Sequence, residues 1–457
     1  MTFCFVTNRI SPHELPLATA LAGRLDNGTF HYIVTDATNA DRRNLGWETI
    51  IPAWCRITAS DDAERRAAWQ TIEQADVAFF GNRSHPLLER RLALGRLTIL
   101  GTERWFKPPT GPLRLLHPGY LGLVCRCRRW LAHPAFQFLA QGIYAARDMR
   151  RIGIGLDPAI RLFGYLVAPS DPVPAPRHRS GPLQVLWVGR MLNWKRVDKL
   201  IHAVGRLTRA GRPVQLTLVG HGPDEPHLRR LAEKINAEAQ RRGDDINAET
   251  QSRRGEGNDQ DTSPRLCASA LNSSPPAPSR LRAFALNSLG TAPPRLCASA
   301  LNSSPAHHSP LTTHYSPTIS FHPPIPITEV RALMRQADVY VLPSSGMEGW
   351  GVVVNEAMLE GCAVIASRES GSGATLIRDG ENGLLVPSGD VRALTRALEL
   401  LEADESLRLR LAIAGQATML AEWTPSIAAE RLLAFCEARL AGSETSSWKS
   451  GPMSVSG

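Results

Sequence analysis

The sequence predicts an α/β protein built from two doubly wound parallel sheets. Short apolar runs alternate with amphipathic stretches along most of the chain, and a Pro-rich segment divides this pattern into two halves. The length of 457 residues allows two or three domains. With 43% hydrophobic residues, each domain can bury a core of its own, which excludes a wholly disordered chain.

The first half is predicted to form strands separated by helices. Four short apolar runs predict strands at Phe3–Val6, Phe30–Val34, Val77–Phe80 and Leu97–Leu100. Amphipathic spacing predicts helices at Leu15–Leu25 and Glu64–Glu73. Because strand and helix alternate, the strands should be parallel. We assign residues 1–178 to a first domain, which ends in the Pro-rich linker Pro169–Pro182.

The second half repeats the pattern. Strands are predicted at Val185–Val188, Gln215–Val219, Ile319–Phe321, Val339–Leu342 and Ala363–Ala366, and helices at Val197–Arg209, His227–Ile235, Ile327–Gln336, Val352–Glu360 and Val391–Glu402. We assign residues 179–425 to a second domain. A terminal helix over residues 426–440 is expected to pack across the domain junction, and residues 441–457 are expected to form a loose tail.

A low-complexity insertion over residues 236–317 interrupts the second domain. The segment Pro264–Pro275 recurs letter for letter at Pro294–Pro305, in a register of 15 residues set by Arg265, Arg280 and Arg295. This period is shorter than that of solenoid repeats, and the unit lacks an apolar face. We therefore expect disorder. Two origins stay open: an inverted-repeat DNA element that expanded inside the gene, and a polar linker that binds a partner.

The charge and cysteine content restrict the class of protein. The formal net charge is +9, which suits a partner that carries phosphate, whether nucleic acid, anionic lipid or a phosphorylated small molecule. Eight cysteines show no disulfide framework and no CxxC pair, which favours a reducing compartment. The N-terminus lacks the features of a signal peptide, and no apolar run reaches the roughly 18 residues of a membrane span. We expect a cytoplasmic protein.

The most informative segment spans residues 339–361. A buried strand is followed by a Ser/Gly loop and then by a helix that begins near Gly351. Ligands of open parallel sheets bind at the carboxyl ends of strands, and backbone N–H groups at a helix N-terminus attract anions. Glu348 and Glu356, with seven residues between them, flank this region. The pattern suits a ligand that is anionic in the middle and hydroxylated at both ends, as a nucleotide sugar is.

These residues resemble a known family. The segment EGWGVVVNEAMLEGCAVIAS, from Glu348, is similar to the E-x7-E signature of retaining glycosyltransferases of family 4, which have the GT-B fold of two Rossmann-like domains facing a cleft. The resemblance implies that Glu348 lies beside the donor sugar and diphosphate, and that Glu356 accepts hydrogen bonds from the ribose. The segment VGRMLNWK resembles the family's G-R-x4-K, which implies that Arg190 and Lys195 neutralise the donor pyrophosphate without a metal.

Three further segments agree with the family. They are Val219–Pro223, residues 337–344 and residues 379–386, so that the resemblance covers about residues 183–235 and 318–402. It implies a donor site in the second domain, with no other cofactor. The implied donor contacts are Gly189, Arg190, Lys195, Gly220, Gly222, Gly349, Trp350, Gly351, Val352 and Glu356.

The first domain matches the family less well. Its first loop, Thr7–Glu14, lacks the family's Gly-rich sequence. Candidates for the catalytic group on the sugar side are His85 and either Glu103 or Arg104, in loops that follow predicted strands. The basic stretch Leu123–Arg151, with Trp130 and several apolar side chains, favours equally a peripheral contact with an anionic membrane, such as the inner face of the plasma membrane, and a helix packed on the core.

The sequence thus predicts a metal-independent, retaining glycosyltransferase. It would move a sugar from a nucleotide-diphosphate sugar to a glycan or lipid-linked acceptor in the synthesis of surface polysaccharide or glycoconjugate. A GT-B nucleotide-sugar epimerase shares the fold and stays open, as does a degenerate protein that only binds nucleotide sugar or glycan. The charge alone suggests a nucleic-acid partner, but the chain has no nucleic-acid-binding motif, so we expect none.

Overall fold

The chain forms two parallel sheets, as its sequence predicts. A computed structural model describes residues 1–26, 28–36, 51–58, 62–81, 86–107, 111–156, 160–178, 180–255 and 318–455. Both sheets belong to one compact unit, formed by Met1–Ala239 and Pro317–Gly457. A second unit, Gln240–Ser316, contains most of the insertion, and the two exact repeats Pro264–Pro275 and Pro294–Pro305 lie outside the described residues.

The first sheet has seven parallel strands in the described part of the chain. Their order is β3-β2-β1-β4-β5-β6-β7. The strands are β1 Phe3–Thr7, β2 Phe30–Val34, β3 Cys55–Ile57, β4 Val77–Phe80, β5 Leu97–Thr102, β6 Phe136–Gln141 and β7 Ile160–Phe163. The helices are α1 Leu15–Ala22, α2 Asp62–Gln74, α3 Leu87–Ala93, α4 Pro118–Leu131 and α5 Ile143–Ile152, with a 3₁₀ turn at Gly111–Leu116.

The second sheet has six described parallel strands, in the order β10-β9-β8-β11-β12-β13. The strands are β8 Leu183–Val188, β9 Val214–Val219, β10 Ile319–His322, β11 Val339–Leu342, β12 Ala363–Ser367 and β13 Leu384–Val386. The helices are α6 Val197–Arg209, α7 Glu225–Gly255, α8 Ile327–Gln336, α9 Val353–Leu359, α10 Gly371–Leu376, α11 Val391–Ala403, α12 Glu405–Glu422 and α13 Pro425–Leu440, with a 3₁₀ turn at Asn193–Lys195.

Helix α6 shows why the amphipathic stretches fold as they do. Val197, Leu200, Ile201, Val204 and Leu207 recur at helical spacing, so they form one apolar stripe, and all five are at most 1% exposed. The stripe faces β9 and α11. Each such side chain stabilises the fold by about 1.5–3 kcal/mol relative to exposure. The same mechanism holds the other helices on the two sheets.

The insertion begins later than the sequence indicates. Helix α7 does not end near Ile235 but continues to Gly255. The amide side chain of Asn236 donates to the Ile319 carbonyl at 2.9 Å and accepts from the Ile319 N–H at 3.0 Å. Arg209 and Glu238 form an ion pair at 2.8 Å. The expected boundary at residue 236 is therefore wrong, because the Ala, Glu, Gln and Arg residues that look like low complexity also favour helix.

The C-terminal tail is not loose, contrary to expectation. The Leu162 N–H donates to the Ser454 carbonyl, and the Met453 N–H donates to the Leu162 carbonyl, both at 2.8 Å. The tail thus runs antiparallel beside β7, and Met453 is fully buried. Arg161 donates to the Met453 carbonyl at 2.9 Å. The physical reason is that the edge of β7 offers unpaired backbone groups, which the tail satisfies.

The basic stretch 123–151 is not one amphipathic surface. It contains α4, the strand β6 and α5, and Phe136 and Phe138 lie buried in β6. The apolar face that would have entered a membrane is therefore core. No helix in the described ranges combines the length and apolarity that a membrane crossing needs.

Helix α13 packs against α1, and Arg24 donates to the Ser426 hydroxyl at 2.7 Å.

Candidate active site

The carboxyl ends of β8 and β11 bring Lys195 and Glu348 together. The Nζ of Lys195 lies 2.5 Å from Oε2 of Glu348. The hydroxyl of Ser344 donates to the same oxygen at 2.9 Å. Both charged side chains are largely buried, with 14% of Lys195 and 10% of Glu348 exposed. The two sequence motifs thus meet in one charged pair, although 153 positions separate them.

Backbone contacts fix the two loops that carry this pair. The N–H of Ser345 donates to the Trp194 carbonyl at 2.8 Å, and the Lys195 ammonium lies 4.7 Å from the Trp194 ring centre. Arg196 follows with a φ of 56°, which is uncommon for a residue with a side chain. Such a conformation persists only where the surroundings hold it, so the Lys195 turn is a rigid element.

The predicted glycines are needed for close packing of neighbouring loops. A side chain on Gly220 would collide with the Gly189 carbonyl oxygen, and one on Gly222 would collide with the Met191 carbonyl. Gly189 and Gly220 also have φ values of 154° and 127°, which only glycine adopts easily. These glycines let the loops after β8 and β9 approach each other at the edge of the sheet.

Arg190 lies at the same edge and faces solvent. It is exposed, directly after Gly189. In the ranges that the structure describes, no hydrogen bond or ion pair holds its guanidinium. Its position after β8 places its charge on the loop that also carries Lys195. A guanidinium at such a place can bind phosphate in bidentate fashion without first giving up an ion pair.

Glu356 is buried in α9 and only partly satisfied. It is 2% exposed, and its Oε1 finds no hydrogen-bond partner among the described residues. Burial raises the pKa of Glu356 to about 7. The imidazole Nδ1 of His13 lies 3.8 Å from this Oε1, beyond hydrogen-bond distance. A buried acceptor without a donor is suited to a ligand hydroxyl.

His13 comes from the first sheet, in the loop after β1. Its ring packs edge-on against Tyr165, with the ring centres 6.4 Å apart. Burial lowers the pKa of His13 to about 4, so the imidazole is neutral at pH 7. Its neighbour Glu14 is half-buried, and desolvation of its carboxyl raises the pKa to about 7. The first loop therefore contributes polar groups to the cleft where the family has glycines.

Glu103 and Arg104, which follow β5, reach the loop of Glu348. The Glu103 carboxylate lies so close to Gly349 that a side chain there would collide with it, and it pairs with Lys107 at 3.1 Å. Arg104 is buried and donates to the Gly346 carbonyl at 3.1 Å. Both predicted candidates therefore meet the second sheet. His85, the third candidate, lies outside the described residues.

Trp350 anchors the same loop to the first sheet. Its side chain is fully buried, and its Nε1–H donates to Asn355 at 2.9 Å. Asn355 in turn donates to the Tyr165 carbonyl at 3.1 Å. The indole ring packs so closely on Gly164 that a side chain there would collide with it. Gly351, with a φ of 90°, and Val352 follow and lead into α9.

Comparison with known proteins agrees with this geometry. The family described as "Glycosyl transferases group 1" matches residues 173–242 and 309–418. These two blocks contain both Lys195 and Glu348, on either side of the insertion. The family thus matches the second half of this chain on both sides of the insertion. The matched residues include every donor contact that the sequence implies.

Curated relatives match a short part of this chain. The chain is 38% identical over 96 residues to a lipopolysaccharide core biosynthesis glycosyltransferase of Rhizobium meliloti, covering 21% of this chain and 28% of the relative. It is 46% identical over 84 residues to a phosphatidyl-myo-inositol mannosyltransferase of Mycobacterium leprae, covering 18% of this chain and 22% of the relative. The chain thus spans only about a quarter of the length of these relatives.

A solved structure extends the likeness of fold to both sheets. The structure of Anabaena Alr3699/HepE in complex with UDP covers 95% of this chain and 98% of its own, with a TM-score of 0.58 and 14% identity. At that identity the likeness concerns the fold alone. The two sheets have the GT-B fold, as the sequence predicts.

Neither the position of His13 in the site nor the contacts of Arg104 are predicted by the sequence. Both residues follow strands of a parallel sheet, so the rule that ligands bind at carboxyl ends could have selected them. Their partners, Glu356 and Gly346, lie more than 200 residues away in the chain. Only the packing of the two sheets shows which loops meet.

Proposed function

We propose that this chain is a retaining, metal-independent glycosyltransferase of family 4 that uses a nucleotide-diphosphate sugar. The pairing of Lys195 with Glu348 at the joint edge of β8 and β11 carries the proposal, because it joins the two motifs of the family resemblance in one place. The GT-B fold and the match to the glycosyl transferases group 1 family support it. The complex of Alr3699/HepE with UDP supports a nucleotide as part of the donor.

The donor would bind along the edge of the second sheet. Arg190 and Lys195 would neutralise the two phosphates, and Glu348 would hold the Lys195 ammonium in place and face the sugar. The unsatisfied Oε1 of Glu356 would accept a hydrogen bond from a ribose hydroxyl. The Lys195 ammonium would thus already lie beside the diphosphate and would not have to move during the reaction. Charges held in place in this way stabilise a transition state.

The transfer would proceed on one face of the sugar. The bond between the anomeric carbon and the diphosphate oxygen breaks, while the acceptor oxygen forms a bond to the same carbon. The acceptor hydroxyl loses its proton to the departing diphosphate. Arg190 and Lys195 stabilise the negative charge that develops on the diphosphate, so no metal is required. Glu103, which lies against Gly349, is the candidate group on the sugar side of this reaction.

The acceptor would be a glycan or a lipid-linked sugar. The two curated relatives are named for lipopolysaccharide core biosynthesis and for phosphatidyl-myo-inositol mannosylation, and these names support an acceptor of that class. The product would then belong to a surface polysaccharide or glycolipid. The burial of Phe136 and Phe138 removes the earlier reason to expect residues 123–151 on a membrane.

A thermal-shift panel of UDP-, GDP- and ADP-sugars on the full chain tests the proposal. Stabilisation by one donor class should be lost in Glu356→Ala and in Arg190→Ala, since bound ligand raises stability in proportion to its affinity. Arg396→Ala, an exposed arginine on α11, is the matched control and should keep the shift. No shift with any donor would contradict the proposal. Activity in excess EDTA tests the independence from metal.

Incubation with the same donor distinguishes a transferase from a GT-B epimerase and from a GT-B protein that only binds its ligand. Incubation with donor alone should leave the sugar configuration unchanged, whereas an epimerase would alter it. A protein that only binds would show the thermal shift and neither transfer nor hydrolysis. The position of His13 supports testing for a protein that only binds. Its Nδ1 lies 3.8 Å from Oε1 of Glu356, the oxygen to which the donor ribose would bind.

A further inference from the structure

A cavity of about 460 Å³ lies away from the Lys195–Glu348 pair, between the two sheets and the C-terminal tail. One wall is formed by α5 and another by the end of α10 and Arg378 after it. The end of α12 and residues 449–455 of the tail complete it. Its volume is in the range of small-molecule sites, roughly 300–1,000 Å³. We call it the tail cavity.

The lining of the tail cavity is strongly basic. The charged side chains that line it are Arg147, Arg150, Arg378, Lys449 and Glu422. Four of these are cations and one is an acid, which leaves an excess of three positive charges. Such an excess in a concave site raises the local concentration of anions.

Two of the cations are not neutralised by the protein. Arg378 pairs with Glu381 at 3.1 Å and lies 4.0 Å from Glu422. In contrast, no carboxylate among the described residues forms an ion pair with Arg147 or Lys449. The guanidinium of Arg147 stacks on the Tyr144 ring, 4.9 Å from its centre, which fixes its position without satisfying its charge. A positioned guanidinium of this kind can bind an anion at little entropic cost.

Hydroxyl groups and an apolar floor complete the lining. Ser450 contributes a hydroxyl, whereas the hydroxyls of Thr375 and Thr418 already donate to backbone carbonyls. Trp423 and Leu376 are buried beneath. Charged donors around an apolar base are what a phosphate group on a small organic body requires. None of the residues assigned to the donor lines this cavity.

We propose that the tail cavity binds a phosphate-bearing ligand as a second anion site, separate from the donor. The phosphate sits between Arg147 of α5, Arg378 of the second sheet and Lys449 of the tail. It therefore bridges the two sheets. The ligand is a free phosphorylated compound or the phosphate headgroup of an anionic lipid, since both present the same group to these side chains.

The tail cavity is linked to the donor loop by two short contacts. Trp423, which lines the cavity, lies 5.9 Å from the Trp350 ring. Thr375 accepts from the Ile143 N–H at 3.1 Å and donates to the Gly371 carbonyl at 2.6 Å. Gly371 in turn packs on the Gly349 backbone. An anion that holds α5 against Arg378 thus also stabilises the loop that carries Glu348.

Titration calorimetry with inorganic pyrophosphate tests the proposal. The full chain with Arg190→Ala and Lys195→Ala is used as the background, so that binding at the proposed donor site does not contribute. Adding Arg147→Ala and Lys449→Ala should weaken pyrophosphate binding by at least about tenfold, because each change removes a charged hydrogen-bond donor from the phosphate. Arg396→Ala with Arg410→Ala, two exposed arginines outside the cavity, removes the same charge and should change binding less than about twofold.

A second arm identifies the source of the phosphate. Flotation with phosphatidylglycerol vesicles, against phosphatidylcholine vesicles, is compared for the same two variants. Vesicle binding lost with Arg147→Ala and Lys449→Ala supports a lipid headgroup, whereas pyrophosphate binding without vesicle binding supports a free ligand. Equal pyrophosphate affinity in the cavity variant and the control, or no binding of either probe, would overturn the proposal. Neither result would affect the donor site, which the background variant lacks.

Discussion

Replacing Glu356 by Gln should change how stability depends on pH. The carboxyl is buried, and burial raises its pKa from 4.5 to about 7. The folded state therefore holds a proton that the unfolded state releases above pH 4.5. As pH rises from 4.5 to 7, the unfolded chain loses this proton while the buried carboxyl keeps it, so the fold is destabilised progressively, and the penalty levels off above about pH 7. Below pH 4.5 both states are protonated and the penalty is absent.

The magnitude follows from the same shift. At about 1.4 kcal/mol per pH unit, a shift of this size amounts to about 3 kcal/mol at pH 8. Because about 1 kcal/mol of this penalty is already present at pH 5, the free energy of unfolding of Glu356→Gln relative to the natural protein should rise by about 2.5 kcal/mol between pH 5 and pH 8. The comparison between two pH values cancels any constant cost of the new amide.

Urea unfolding at pH 5, 6.5 and 8 measures the effect. Glu14→Gln is the matched control, because desolvation also raises the pKa of the half-buried Glu14 carboxyl to about 7. Both variants should show the pH-dependent gain, but only Glu356→Gln should lose nucleotide binding. A relative stability of Glu356→Gln that is the same at pH 5 and pH 8 would refute the reasoning that Glu356 is a buried carboxyl with a raised pKa.

Three further changes have defined outcomes. Gly220→Ala should weaken donor binding and destabilise the fold by about 1–3 kcal/mol in urea unfolding, because the new side chain would collide with the Gly189 carbonyl. Gly211→Ala is the control: it has open space around it and should keep donor binding. Arg104→Ala should lower kcat more than it changes donor KM, and Arg104→Lys should not restore kcat, because a lysine cannot bridge two carbonyls as Arg104 does. Met453→Ala should cost about 2–5 kcal/mol in thermal unfolding, and Val455→Ala, half-exposed, much less.

The sequence predicts the strands that are buried on both faces. β1, β4 and β11 are continuous apolar runs, and each lies within a residue of its predicted position. β6 and β7 are not predicted from apolar runs, because they contain polar residues such as Gln137 and Arg161. Arg161 is satisfied by carbonyls of the tail, a partner almost 300 residues away that no local pattern indicates.

The candidate site also contains some residues that short motifs predict and others whose contacts depend on long-range packing. Glu348 and Lys195 are predicted from spacing within short motifs, and the structure brings them together. The contacts of His13, Glu103 and Arg104 depend on how the first sheet packs against the second. Because that packing is long-range, sequence spacing could select these loops but not their partners.

The central claim is that the edge of β8 and β11 binds a nucleotide-diphosphate donor. Titration calorimetry with UDP, GDP and ADP on the natural protein, Lys195→Ala and Lys199→Ala tests it most directly. Lys199 is a nearby lysine on α6 that pairs with Asp198, so it controls for loss of charge. The account predicts binding of one nucleotide, weakened at least about tenfold by Lys195→Ala and unchanged by Lys199→Ala. Equal affinity of all three proteins for that nucleotide, or no binding of any nucleotide, would contradict it.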